Sequence, residues 1–245
     1  MIGLCSRFLK ELPRKLRMRK FSSAFEDCPE YRYNVTMKWL DSIVIKQKLC
    51  PFAPPVRNAP QLRIKVSDAE SHDDIIKDIE KEAHLLVSES DPYAALSERP
   101  ETTLVVLNTN KCESLADFRN MVSLSWRVQE EVINEHSYTL SLQLVLFHPK
   151  AKHQTYAEGF EEDAADYTIR SPFPIIHLLR EADVMKAVTS GYNDLENLPS
   201  RNKNRLRKDG LQVCAQRLEN CKKLQEFTVG KEKITHKLIL DRSAS

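Results

Sequence analysis

The stretch RSPFPIIHLLRE, residues 170–181, surrounds a short apolar run with polar side chains that could do chemistry. Ser171 is a typical helix N-cap, and Pro172 is typical of the first helical turn. The spacing of the apolar residues that follow then predicts a helix from about Pro174 to Thr189. On such a helix, the polar side chains would gather on one face.

The predicted helix would carry a small anion site. His177 and Glu181 would lie one turn apart, where they can share a proton or a ligand. Free N–H groups at the helix start, with Arg170 beside them and Arg180 further along, attract a phosphate or a carboxylate. We therefore predict Arg170, Ser171 and Arg180 as ligand-binding residues. In the competing interpretation, His177 is an ordinary half-buried histidine and the charged residues are solvated.

A second candidate histidine follows the sequence TLSLQLVLF, residues 139–147. His148 stands where this predicted strand ends and a polar loop begins, a common place for catalytic histidines. We predict His148, His177 and Glu181 as catalytic residues, although His148 could instead only bind a loop carbonyl. His148, His177 and Asp163 are also candidate ligands for a divalent metal. Neither H-x-x-x-H nor H-E-x-x-H occurs, so this metal signal is weak.

Cys50 is a possible nucleophile if a histidine lies beside it. It follows a predicted helix, however, and a helix C-terminus disfavours the thiolate. A small buried side chain is therefore the preferred interpretation of Cys50. None of the six cysteines forms a C-x-x-C pair, and we expect reduced thiols.

These residues must be held by a sheet with helices around it. QLRIKV (61–66), TTLVVL (102–107) and TLSLQLVLF (139–147) are predicted strands. Helical spacing predicts helices over 31–49, after Ser71, after Ser114 and over 200–224. The fold class is therefore α+β or α/β: a small central sheet of about three or more strands, covered by helices, with C-terminal helices.

The first 21 residues differ from the rest of the chain. They carry seven basic residues and one acidic residue, interleaved with apolar residues at near-helical spacing. A basic, amphipathic, acid-poor start is typical of a mitochondrial transit peptide. We therefore expect the protein to be located in the mitochondrial matrix, or in the cytoplasm if residues 1–21 are only a basic arm.

Charge and hydropathy exclude two classes of partner. The chain carries a net charge of +2, and residues 1–21 alone carry +6, so the remainder is about −4. A mildly acidic domain is a poor nucleic-acid binder. No apolar run approaches the roughly 20 residues of a membrane span.

Several segments together resemble one family. LCPFA (49–53), VSDA (66–69), ETTLVVL (101–107), LQLVLFHP (142–149), DYTIRSPFPIIHLLRE (166–181) and SRN (200–202) are similar, in order and spacing, to the domain-of-unknown-function family 1415. The resemblance implies one domain over residues 31–225, and the composition of residues 226–245 indicates a polar tail. It does not imply a reaction.

The resemblance adds further residues to the candidate set. Besides the histidines, arginines, serine and glutamate above, the family motifs map onto Cys50, Pro51, Phe52, Pro149, Pro172, Arg201 and Asn202. We expect an enzyme or ligand-binding protein for a small phosphate or carboxylate molecule, with a divalent metal as a possible cofactor. A non-catalytic structural or assembly subunit of a mitochondrial complex is the alternative.

Overall fold

Four strands form the sheet around which the chain folds. The computed structural model describes residues 28–57, 61–87, 100–153, 162–189 and 196–223. The strands are β1 (Leu62–Ser67), β2 (Thr102–Leu107), β3 (Leu142–Phe147) and β4 (Ile175–Arg180). Their order in the sheet is β1-β2-β4-β3.

Three of the strands run in the same direction and the fourth runs against them. β1 and β2 are parallel, while β4 is antiparallel to both β2 and β3. The carboxyl ends of β1, β2 and β3 therefore meet at one edge of the sheet, together with the start of β4. We call this edge the carboxyl edge.

Helices cover both faces of the sheet, as the sequence predicted. They are α1 (Pro29–Trp39), α2 (Ala53–Val56), α3 (His72–Val87), α4 (Phe118–Val128), α5 (Glu181–Thr189), α6 (Leu198–Asp209) and α7 (Leu211–Lys222). α1 and α4 each continue into a π-helical segment, Leu40–Ile45 and Gln129–Asn134. No helix in the described ranges is both long and apolar enough to cross a bilayer.

The prediction of a helix from Pro174 was wrong. Residues 175–180 form β4, and the helix begins only at Glu181, directly after the strand. The apolar run is short enough to suit a strand buried on both faces, and no turn residue separates it from the helix. Ser171 therefore caps no helix, and its hydroxyl donates to the carbonyl of Phe173.

Two hydrophobic cores lie on opposite faces of the sheet. The front face, which includes Val105, Ile176 and Leu178, packs against α3 and α4. The back face, which includes Leu104 and Ile175, packs against α1, α6 and α7. Because successive strand residues point to opposite faces, each polar residue in a strand is assigned to one core or the other.

Of the two helix N-caps predicted from the sequence, Ser71 is confirmed and Ser114 is wrong. The Ser71 hydroxyl accepts from the backbone N–H of Asp74 at 3.1 Å, which confirms the predicted start of α3. Ser114 does not cap α4, because it lies within a 3₁₀ turn, Glu113–Ala116. Asp117 caps α4 instead, accepting from the N–H of Arg119.

The single C-terminal helix predicted over 200–224 is two helices. Gly210 separates α6 from α7 with a φ of 88°, which glycine adopts without strain. Pro199 lies in the first turn of α6, as expected. The predicted leader (1–21) and the predicted tail (226–245) lie outside the described residues.

A pair of leucine substitutions tests the central position of β4. Leu178→Ala should lower the free energy of unfolding by about 3 kcal/mol, because Leu178 is fully buried in the middle of the sheet. Leu140→Ala is the matched control: Leu140 is 88% exposed, and the change should stay within about 0.5 kcal/mol. Urea unfolding measures both. Equal effects would contradict the placement of β4.

Candidate functional site

Polar residues that follow the strands converge at the carboxyl edge. Asn108 directly follows β2, His148 directly follows β3, and Arg170 and Ser171 lie just before β4. All four are almost completely buried. In open α/β sheets, ligand sites form outside the carboxyl ends of the parallel strands, which makes this edge a candidate site.

His148 is held by backbone groups on both sides of its ring. Its Nε2 lies 2.9 Å from the carbonyl of Leu115, and its Nδ1 accepts from the N–H of Lys150 at 2.9 Å. The hydrogen-bond network thus assigns the proton to Nε2. Burial lowers the pKa of His148, so the ring is neutral near pH 7. Both ring nitrogens are hydrogen-bonded to backbone groups, which matches the interpretation of His148 as a structural rather than a catalytic residue.

Arg170 is also built into the fold. Its Nε donates to the carbonyl of Ala151 at 3.1 Å, and its Nη2 lies 3.2 Å from a Glu162 oxygen. A second carboxylate, on Asp166, lies 3.8 Å away, and the guanidinium stacks over the Tyr167 ring. Its positive charge is therefore already balanced by two carboxylates.

A second buried arginine at this edge was missed by the sequence analysis. Arg32, on α1, donates to the carbonyl of Leu107 at 3.1 Å and to Oδ1 of Asn108 at 2.7 Å. Its guanidinium also lies over the ring of Phe173, 4.7 Å from the centroid. Asn108 could have been found as the polar residue that ends a buried strand. Nothing local to Arg32 in the sequence reveals its role.

His177 lies away from His148, on the back face of the sheet. It sits in the middle of β4, opposite Leu104 and Val145, and its ring is 6.1 Å from that of Phe147. His148 instead stacks on Phe118, which packs against the front core. The structure therefore does not bring the two predicted catalytic histidines together.

The hydrogen bonds of Thr102 fix the tautomer of His177. The Thr102 hydroxyl donates to the carbonyl of Leu178 at 2.9 Å, so it must accept from Nε2–H of His177 at 2.5 Å. This leaves the lone pair of Nδ1 as an acceptor on a partly exposed, otherwise apolar stretch of sheet. Burial lowers the pKa of His177 to about 4, and the ring is neutral at physiological pH.

Arg180 and Glu181 lie at the opposite edge of the sheet. Arg180 donates to the carbonyl of Pro100 at 2.6 Å and pairs with Asp183. Glu181 accepts from the side-chain amide of Gln143. Because β4 is extended, Glu181 is four strand positions from His177 rather than one helical turn, and the two do not form a pair.

The three predicted metal ligands are likewise dispersed. Asp163 caps a 3₁₀ turn, Ala164–Thr168, and pairs with Arg207, which lowers the pKa of its carboxyl group. Within the described ranges, His148, His177 and Asp163 form no three-ligand group. The divalent metal predicted from these three residues is not supported by their arrangement.

Cys50 follows the first helical region and is half-buried. Burial raises the pKa of its thiol, although the backbone N–H groups of Phe52 and Ala53 act in the opposite direction. The thiol is thus protonated near pH 7, as expected for a packing residue rather than for a nucleophile.

The later family motif occupies α6 and contains unsatisfied polar atoms. Asn202 donates from Nδ2 to the carbonyl of Leu49 at 2.7 Å, which ties α6 to the turn before Cys50. Its Oδ1 is buried without a partner, and so are Nε and Nη2 of Arg205, one turn further along. Burial and the nearby charge of Arg201 lower the pKa of Arg205, which nevertheless stays protonated.

One known family matches the part of the chain that contains both the sheet and α6. The model of the family described as protein of unknown function (DUF1415) matches residues 32–216, more than half of the chain. The chain belongs to the DUF1415 family. The match spans the carboxyl edge, β4 and the α6 cluster of Arg201, Asn202 and Arg205. No curated protein and no solved structure matches the chain significantly.

The lowered pKa of His177 makes the DUF1415 fold sensitive to acid. Between pH 6.5 and about 4, the unfolded chain binds a proton that the folded chain does not, so stability falls as pH falls through this window. Between pH 7 and pH 5, His177 should lower the free energy of unfolding by about 2 kcal/mol. His177→Gln, which can still donate to Thr102, should remove that part of the loss in urea unfolding experiments. His148 titrates in both proteins, so the difference isolates His177, and equal pH dependences would contradict the assignment.

Proposed function

We propose that this chain binds a small anionic molecule, a phosphate or a carboxylate, at the α6 cluster of Arg201, Asn202 and Arg205. The single observation that supports this is the state of Arg205. Its Nε and Nη2 are buried and have no hydrogen-bond partner in the described structure. Buried N–H groups without hydrogen bonds cost about 1–3 kcal/mol each, and an anion seated on them would recover much of that cost.

The shape of the guanidinium selects the class of ligand. Nε and Nη2 lie on one edge of the planar group, and this edge matches two oxygens of a carboxylate or phosphate. Arg201, one turn earlier on α6, is exposed and adds a second positive charge at the same side of the helix. At Arg205 the repulsion by Arg201 outweighs the attraction by Asp209, and a small, strongly charged anion would relieve it.

Asn202 adds a contact that chloride cannot use, because chloride has no hydrogen to donate. Its Nδ2 is occupied by the carbonyl of Leu49, and its buried Oδ1 can only accept a hydrogen bond. A ligand hydroxyl would satisfy this oxygen. Monohydrogen phosphate and hydroxycarboxylates both carry an acidic group for Arg205 and a hydroxyl for Asn202.

This proposal moves the predicted anion site from β4 to α6. Arg170 and Arg180 are engaged by carboxylates and carbonyls within the fold, whereas Nε and Nη2 of Arg205 have no hydrogen-bond partner in the described structure. Catalytic roles for His148, His177 and Glu181 stay predictions, and the separation of these residues favours binding over a shared acid–base site.

Substitution of Arg205 by methionine tests the proposal by thermal shift with inorganic phosphate. Phosphate at ten times its dissociation constant should stabilise the wild-type chain by about 1.4 kcal/mol, or about 3 °C. Arg205→Met should abolish this shift. Without phosphate, the variant should be as stable as wild type or more stable, because two buried N–H groups without hydrogen bonds have been removed.

The controls separate specific binding from general salt effects. Arg119→Met removes one exposed positive charge on α4 and should keep the full phosphate shift. Sodium chloride at matched ionic strength should give no shift in either protein. A wild-type chain that does not respond to phosphate, citrate or malate would overturn the proposal.

A structural role is the second candidate function, and a specific observation favours it. His148, Arg170 and Ser171, all in family motifs, are engaged within the fold at the carboxyl edge. Such residues can define a family by specifying the fold, as in an assembly subunit of a mitochondrial complex. In the thermal-shift experiment, a destabilised Arg205→Met variant together with no anion response would favour this candidate.

The mitochondrial location remains part of the proposal, based on the sequence of residues 1–21. The supporting feature is their excess of basic residues, interleaved with apolar residues at near-helical spacing. Fusion of residues 1–30 to a fluorescent reporter should direct it to mitochondria, and replacement of Arg14, Lys15 and Arg17 by glutamine should release it to the cytosol. A cytosolic wild-type fusion would contradict the proposal.

A further inference from the structure

We propose that Glu80, His84 and His136 form a binding site for a divalent transition metal of the zinc class. One ligand atom from each residue lies within 4.8 Å of the other two. Two imidazoles and one carboxylate are a common protein ligand set for zinc and for non-haem iron. This cluster is separate from the α6 cluster and does not depend on the proposed anion function.

Two different elements supply the ligands. Glu80 and His84 are four residues apart on α3 and therefore lie on one face of that helix. His136 follows the π-helical extension of α4, where the chain turns through Ser137 at a φ of 59°. His136 lies across from α3, with its Nε2 at 2.8 Å from a Glu80 oxygen.

Tyr138 provides an outer contact of the kind that supports metal-bound histidines. Its hydroxyl lies 2.7 Å from Nδ1 of His84, and its ring stacks on that of His136. When Nδ1–H of His84 donates to the tyrosine oxygen, the other ring nitrogen keeps its lone pair for a metal. Such outer partners fix the tautomer and the orientation of the ligand.

The distances require only side-chain adjustment. A tetrahedral zinc centre with bonds of about 2.0–2.1 Å holds its ligand atoms about 3.3 Å apart. The His136–Glu80 contact of 2.8 Å would open slightly, and the remaining separations, at most 4.8 Å, would close. The metal would replace the proton that now joins the histidine and the carboxylate.

The alternative is an ordinary surface network. An exposed ion pair between His136 and Glu80 contributes little to stability, and the edge-to-face packing of the two imidazoles, at 4.7 Å, needs no metal. However, a third potential ligand on the same spot is not needed for an ion pair. Nitrogen ligands also disfavour magnesium and calcium, which prefer oxygen.

The site is open on its outer side. Glu80 and His136 are partly exposed and His84 is exposed, so a metal held by three side chains would keep at least one position for water or another ligand. Sites with three protein ligands and an open position are typical of zinc that acts on a bound molecule rather than zinc that only supports folding.

Calorimetric titration of the metal-free full chain with zinc tests the proposal. We expect one zinc per chain with a dissociation constant in the micromolar range or tighter. Glu80→Gln and His136→Gln should each weaken binding at least tenfold, and Tyr138→Phe should weaken it about tenfold. His72→Gln, which changes a partly exposed histidine at the start of the same helix, is the matched control and should bind as wild type does.

Cobalt substitution excludes binding through cysteine. The cobalt-loaded chain should show d–d absorption of a nitrogen–oxygen site without thiolate charge-transfer bands. Circular dichroism checks that each variant is folded. If His136→Gln is unfolded, the zinc affinity of Glu80→Gln tests the proposal. No binding at 100 µM zinc, thiolate bands in the cobalt spectrum, or unchanged affinity in the folded variants would overturn the proposal.

Discussion

β4 pairs with β2 on one side and with β3 on the other, and this double backbone ladder joins the two parts of the sheet. Strands β1 and β2 form a parallel pair, and β3 runs in the same direction but has no contact with them in the sheet order. The antiparallel β4 satisfies the backbone groups of both neighbours and inserts Ile176 and Leu178 into the front core. Because β4 is extended, Arg170, which precedes the strand, lies at one edge of the sheet, and Arg180, which ends it, lies at the other.

Much of the fold could be predicted because the local signals agreed with the tertiary structure. TTLVVL carries no charged residue and is fully buried in β2, and Ser71 caps α3 as its spacing to Asp74 indicates. For IIHLLR, residues 175–180, the local pattern did not agree with the structure. A run of this length fits a buried strand or a helix segment equally well, and the helix that starts at Glu181 without an intervening turn extended the helical pattern backward.

The candidate sites were harder to predict because they combine residues far apart in the chain. His148 could be placed at a strand end, but its two backbone partners could not be foreseen. Arg205 stands out only once its guanidinium is seen buried without partners. Glu80 and His136 are 56 residues apart and meet because α3 and the end of α4 pack on the same face of the sheet. Spacing along one helix could have suggested Glu80 with His84, but not the third ligand.

Nuclear Overhauser contacts around His177 test the central feature of this account most directly. With β4 extended between two strands, the backbone of His177 should show contacts to the residues opposite it, Leu104 on β2 and Val145 on β3. The chemical shifts of residues 175–180 should be those of a strand. Strong sequential amide contacts, together with contacts between Pro174 and His177 three residues later, would show a helix there. That result would return His177 and Glu181 to one face and contradict the separation of the predicted site residues.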